Sequence, residues 1–162
     1  MSSKTPSDRV LSAVSQGDVA AVNEAIAHGR LNVRDRDGRT PAMYAVIDGR
    51  ASVLDALLAS GADVAAADQR GWTALHYAAQ ARDASAADKL LRNGAPVDAI
   101  DAFGNTPLWR AVFASQGDSS VIKVLLAHKA DPHRKNSSGV SPVELAKSIA
   151  NFDAAGVFAG VE

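Results

Sequence analysis

Ser120-Val-Ile-Lys123 sets a hydroxyl and an amine three residues apart, the S-x-x-K spacing in which a lysine can activate a serine for acyl transfer. His128 and His133, with Asp131 between them, are residue types that hold a divalent metal, and His76 is a further imidazole able to carry a proton near neutral pH. Each of these signals has a plainer reading in its surroundings. Ser120 falls at the start of an apolar helical stretch, where Ser119 or Ser120 is expected as the N-cap. Pro132 interrupts the chain between the two histidines, so no regular helix aligns them with Asp131, and a solvated loop is expected there. The chain has no cysteine, which excludes disulfides, thiol catalysis and cysteine-based zinc sites. It also lacks G-x-S-x-G, P-loop and G-x-G-x-x-G patterns, and Asn136-Ser-Ser138 is a glycosylation acceptor only in a secreted chain. The residues therefore predict no enzyme, no cofactor and no metal.

The elements that must position these side chains are alanine-rich. Of 162 residues 33 are alanine, while Trp, Tyr and Phe together number eight. An apolar fraction of 47% is enough for a core, and one built on Ala, Val and Leu implies helices at close range rather than aromatic-rich strands. The net charge of −1 gives no reason to expect nucleic acid or an anionic membrane as partner, and His133-Arg-Lys135 is too short to argue for either. The balance is uneven along the chain: within 37–69, Arg39 and Arg50 stand against Asp37, Asp48, Asp55, Asp63 and Asp68. Within 103–137, Arg110, Lys123, Lys129, Arg134 and Lys135 stand against Asp118 and Asp131, so a partner could be oriented lengthwise. The polar start Met1-Ser-Ser-Lys4 has no apolar segment behind it, and no uncharged run is long enough to span a bilayer. A cytoplasmic location is expected.

Four segments repeat: Asp37-Gly-Arg-Thr-Pro-Ala-Met-Tyr-Ala-Val46, Arg70-Gly-Trp-Thr-Ala-Leu-His-Tyr-Ala-Ala79, Phe103-Gly-Asn-Thr-Pro-Leu-Trp-Arg-Ala-Val112 and Ser138-Gly-Val-Ser-Pro-Val-Glu-Leu-Ala-Lys147. Their glycines, Gly38, Gly71, Gly104 and Gly139, lie 33, 33 and 35 residues apart. Asp35, Asp68 and Asp101 open D-x-x-G turns, and Thr40, Thr73, Thr106 and Ser141 are hydroxyl N-caps, with Pro41, Pro107 and Pro142 at the first helical position. A short Ala-containing helix follows each cap. A second helix carries Leu57-Leu58, Leu90-Leu91 or Leu125-Leu126, and Gly61 and Gly94 stop it in the left-handed conformation. In the copy at 101–135, Lys129 stands where that glycine is expected, and two extra residues enter at Gln116-Gly-Asp-Ser-Ser120. The first copy is expected to start with a helix near Asp8–Ser15 that lacks a Thr-Pro cap. The last is expected to have a truncated second half, Asn151-Phe-Asp-Ala-Ala-Gly-Val-Phe158.

This 33-residue period, with T-P-L-H-x-A-A followed by L-L-x-x-G-A-D, resembles the ankyrin repeat family over nearly the whole chain. The resemblance implies an all-α repeat solenoid, each unit a helix–turn–helix with a β-hairpin or loop. About five repeats fit, at 6–34, 35–67, 68–100, 101–135 and 136–162, the outer two degenerate caps of one domain. It implies a structural, hydrogen-bonding role for His76, and a concave face, made of the hairpin tips and the inner-helix ends, that binds another protein. On that face fall Arg36, Asp37 and Arg39; Ile47 and Asp48; Arg70 and Trp72; Gln80; Phe103 and Asn105; and Phe113. Trp72 and Phe103 are expected to be exposed anchors, because aromatic and arginine side chains dominate binding hot spots. Phe113 reads equally as contact or as core, since the insertion could cover it. Met43, Tyr44, Tyr77 and Trp109 are expected in the core. The expected activity is that of a chain, monomeric when free, that inhibits or sequesters one partner, as an immunity protein blocks a toxin. An adaptor bridging two proteins is the alternative, and an enzyme a remote one.

Overall fold

Thr5, Thr40, Thr73, Thr106 and Ser141 each stand at the N-cap of a short helix, and each of those helices is followed by a second one. The computed structural model describes residues 5–149 and 152–161; residues 1–4 and Asn151 of the final half-repeat lie outside them. The first helices are α1 (Pro6–Gln16), α3 (Pro41–Ile47), α5 (Ala74–Gln80), α7 (Pro107–Ala114) and α9 (Pro142–Ser148). Their successors are α2 (Val19–Ala27), α4 (Ala51–Ala59), α6 (Ala84–Arg92) and α8 (Ser120–Ala127), with a single turn, α10 (Ala154–Val157), closing the last unit. Odd-numbered helices pack on one another in chain order from α1 to α9, and α2, α4, α6 and α8 do the same, so the helices form an inner and an outer layer.

The chemistry of the caps explains the boundaries. Ser141 Oγ accepts from Glu144 N at 3.3 Å while the Glu144 carboxylate takes the Ser141 N–H at 2.8 Å, a reciprocal capping box. The first helix corrects an expectation: it has its Thr-Pro cap after all. Thr5 is the N-cap, Pro6 the first helical residue, and Asp8 completes the box. The cap of α8 falls on Ser119, one of the two serines expected there. Ser119 occupies the position without a side-chain cap bond, and Asp118 Oδ1 accepts from Ser120 N at 2.9 Å in its place.

Alanines set the spacing between layers. Ala42, Ala45, Ala74, Ala78, Ala79, Ala111 and Ala146 are buried along the inner helices, where a methyl group lets neighbouring backbones approach. Leu54, Leu57, Leu90, Ile122 and Leu125 from the outer layer fill the space between, and Phe158 covers the end of the core beside α9. Lys129 has φ 67°, left-handed like Gly29, Gly61 and Gly94 at the same place in the other repeats. Lys129→Gly is therefore expected to raise the unfolding free energy by roughly 1 kcal/mol, read as a higher denaturation midpoint at unchanged m-value. A drop in the midpoint would show that the lysine side chain makes up for its backbone strain.

The connections between repeats are turns, and no strand forms among the described residues. Each turn is closed by its first side chain. Asp35 Oδ1 accepts from Asp37 N and Arg39 N at 2.8 Å, and Asp68, Asp101 and Asn136 repeat the arrangement. One backbone bond joins each tip to the next: Gln69 N to Asp37 O, Ala102 N to Arg70 O and Ser137 N to Phe103 O, each 2.9 Å. A single backbone hydrogen bond per tip gives continuity without a ladder.

Candidate protein-binding face

The turn aspartates are acceptors, half-buried at Asp35 and buried at Asp68 and Asp101, that need a third donor, and the residue nine positions on supplies it. Tyr44 Oη donates to Asp35 at 2.8 Å and Tyr77 Oη to Asp68 at 2.6 Å. In the next repeat the donor is Arg110, whose Nε lies 3.2 Å from Asp101 Oδ2 and whose Nη2 bonds the same oxygen. Burial opposes the charge on Asp101, but Arg110 and the N–H groups of Asn105 and Phe103 outweigh it and hold the carboxyl below its ordinary value. The signal was present in the sequence as a donor-bearing side chain nine residues after each turn aspartate: Tyr44, Tyr77, Arg110. Tyrosine and arginine share no residue type, and only the carboxylate that both meet makes them equivalent.

Arg110 also begins a stack. Its Cζ lies 4.7 Å from the Trp72 ring centroid and 5.6 Å from that of Trp109. Arg70 also lies over the Trp72 ring, Cζ again at 4.7 Å, and Trp109 stacks on Phe113, ring centroids 5.5 Å apart and planes 14° from parallel. The order across the inner face is thus Phe113, Trp109, Arg110, Trp72, Arg70, with rings and guanidinium groups in turn at its centre. Phe113 is 58% exposed, so the insertion leaves it uncovered.

The exposure expected of Trp72 is corrected. The residue is only 9% exposed, because the guanidinium groups of Arg70 and Arg110 and the rings of Tyr77 and His76 all pack against its indole. Asn105 is corrected as well: it is buried, donating to Asp101 at 3.3 Å and accepting from Asn136 at 2.7 Å, so it ties repeats together. Phe103 is 67% exposed at the tip of its turn, and Arg36, Asp37, Ile47, Asp48, Arg70 and Gln80 are exposed too. Asp48 accepts from Ser15 Oγ at 2.6 Å, and half-buried Arg39 reaches Asp37 at 3.2 Å and Tyr77 Oη at 3.3 Å. Met43 and Tyr77 lie in the core, while Tyr44 and Trp109 are half-buried. Trp109 Nε1 is buried without a hydrogen-bond partner.

The other polar groups are placed by packing. His76 Nδ1 accepts from Thr73 N at 3.1 Å, so Nε2–H donates to Asn105 O at 3.0 Å in the next repeat. That tautomer is neutral, and burial lowers the pKa of the ring from its ordinary 6.5. A depressed histidine means that the unfolded chain takes up the proton first, so its stabilisation is complete above the unfolded value and is lost as pH falls toward the folded one. Stability should decline as pH falls below about 6.5, the unfolded value, and His76→Gln should flatten that slope, as followed by urea midpoints across pH. An unchanged slope would assign the decline to other groups.

His128 bonds Asp88 across repeats at 3.1 Å, His133 N donates to Asp131 at 2.8 Å, and no metal-holding group of three such residues occurs among the described residues. Ser120 and Lys123 are exposed in the first turn of α8. No described helix is long and apolar enough to cross a membrane.

Comparison with known families agrees with this geometry. A family model described as ankyrin repeats in three copies matches residues 65–136, and another, ankyrin repeats in many copies, matches residues 26–78. No curated protein matches the chain. Together the two models run from the first repeat into the fifth, through every turn, cap and helix pair of the central stack: the chain belongs to the ankyrin repeat family, whose repeats bind other proteins.

Proposed function

We propose that this chain binds one partner protein through the inner, concave face and acts by covering the partner's own working surface, as an inhibitor or sequestering protein. The observation that supports the reading is the placement of three of the four exposed large apolar side chains among the described residues: Phe103 at a turn tip, with Phe113 and Ile47 at inner-helix ends; the fourth is Ile100, just before the Asp101 turn. Single exposed apolar residues are ordinary, but aromatic side chains on a rigid surface lose little entropy on binding and supply most hot-spot energy. Every helix pair described is a repeat unit, and what such a surface does to a partner is occupy it.

The experiment is affinity capture from the source cell with Phe103→Ala/Phe113→Ala as control, followed by assay of the captured protein with and without this chain. Two lost anchors should weaken binding by about 100-fold or more while leaving helical content and melting nearly unchanged. Binding within twofold of the parent would remove the reading, and two proteins held at once would favour an adaptor.

A further inference from the structure

The stack from Phe113 to Arg70 has two open ends of different chemistry. At one end Phe113 exposes an aromatic face and edge backed by Trp109. At the other, the Arg70 side chain is 56% exposed and only Nη2 is committed, donating to Tyr77 Oη at 2.8 Å. Asp68 lies 3.9 Å from Arg70 Nε, beyond hydrogen-bond reach, and is already served by Tyr77 and by the N–H groups of Arg70 and Trp72. Arg70 therefore presents a guanidinium fork with unfilled donors, held in place by the indole of Trp72 beneath it. A planar fork of this kind is complementary to a carboxylate.

The surrounding charge favours the same ligand. In residues 68–83 and 101–117 the carboxylates are Asp68 and Asp101, both buried, and Asp83, which caps α6 through Ala86 N. Next to them Asp118 is held by Ser120 N. The outward-facing charges of these stretches are Arg70 and Arg82, the latter bonded to Gln116 Oε1 at 3.0 Å. On the adjoining tip exposed Asp37 shares a cleft with Arg70, and its charge is met by Arg39 at 3.2 Å.

Resting on the concave-face reading above, we propose that recognition centres on the third and fourth repeats and takes an acidic peptide segment, its carboxylate on Arg70 and a large apolar side chain on Phe113. The contacts between the two ends limit the span: the ligand's two groups lie no more than about six extended residues apart at roughly 3.3 Å per residue. Because Arg110 is clamped by Asp101 and both indoles are packed, the surface is formed before the ligand arrives.

The probe is a phage-displayed library of random dodecapeptides panned on the whole chain, with enriched peptides synthesised and titrated by fluorescence anisotropy. Enriched peptides should share an Asp or Glu and an aromatic or large aliphatic residue within that spacing. Arg70→Gln, Arg70→Lys and Phe113→Ala should each weaken them about tenfold or more, with melting temperatures confirming the fold. Changing the peptide's acid to its amide should cost about tenfold on the parent and under twofold on Arg70→Gln, which ties the carboxylate to that fork. Peptides that ignore these variants but are lost with Ile47→Ala or Arg36→Ala would overturn this assignment and leave the concave-face reading standing. Peptides indifferent to every inner-face change, or no enrichment, would overturn both. Self-association in sedimentation, lost in Arg70→Gln, would overturn the acidic peptide in favour of a second copy.

Discussion

Asp101→Ala is expected to lower the unfolding free energy by about 4 kcal/mol, the cost of removing one partner from a buried ion pair. The Asp101 side chain is 0% exposed and accepts from Phe103 N, Asn105 N and Arg110, while the Arg110 side chain is only 16% exposed. Alanine would leave that guanidinium, two turn N–H groups and the Asn105 side-chain amide without this acceptor, and a folded domain holds only about 5–15 kcal/mol in all. The melting temperature should fall by about 8–16 °C in a chain of this size. Arg110→Tyr is the control, because Tyr44 and Tyr77 fill that position over Asp35 and Asp68; it should stay within about 1.5 kcal/mol of the parent. The pKa of Asp101 is lowered on folding, so its contribution is present above the unfolded value and lost as pH drops through the folded one. The gap between Asp101→Ala and the parent should therefore narrow below about pH 4. A loss under 1 kcal/mol at neutral pH would show that water replaces the carboxylate and that the network is not buried in solution.

Gly71→Ala should cost about 3 kcal/mol, and Gly139→Ala only about 1 kcal/mol, although both glycines adopt φ 77°. The difference is space. A Cβ on Gly71 would lie 2.9 Å from Asp101 Cα and 3.0 Å from Ala102 N, whereas one on Gly139 meets nothing within 4 Å. Gly71 sits where two turns approach to share the bond from Ala102 N to Arg70 O, so the added methyl must push backbone against backbone. Paired urea titrations measure both values; equal losses would mean that the turns slide apart freely and that the tip-to-tip bond is weak.

Which parts of the molecule were legible follows from the range of the interactions. The helix starts, the αL stops and the outer-layer leucines are local or periodic, and they could be read from residue type and spacing. The Thr5-Pro6 cap was equally legible, and was missed because the first copy lacks the D-x-x-G turn that marks the others. Trp72 shows the limit. At a turn tip with small neighbours in sequence, it reads as an anchor, but the residues that cover it are Arg110, thirty-eight positions away, and Arg70 on its own turn. The exposure of Phe113 depended likewise on how the Gln116–Ser120 insertion folds, which composition does not decide.

By itself the sequence determined the repeat, its 33-residue period, the order of caps, helices and stops, and the family to which the chain belongs, because each rests on hydrogen bonds and packing within about one repeat. Only the tertiary structure decided which aromatic rings face outward, that Asn105 and His76 bind adjoining repeats together, and that Phe113, Trp109, Arg110, Trp72 and Arg70 form one stack. Those outcomes depend on contacts between repeats, where a side chain's burial is set by the residue stacked against it rather than by its neighbours along the chain.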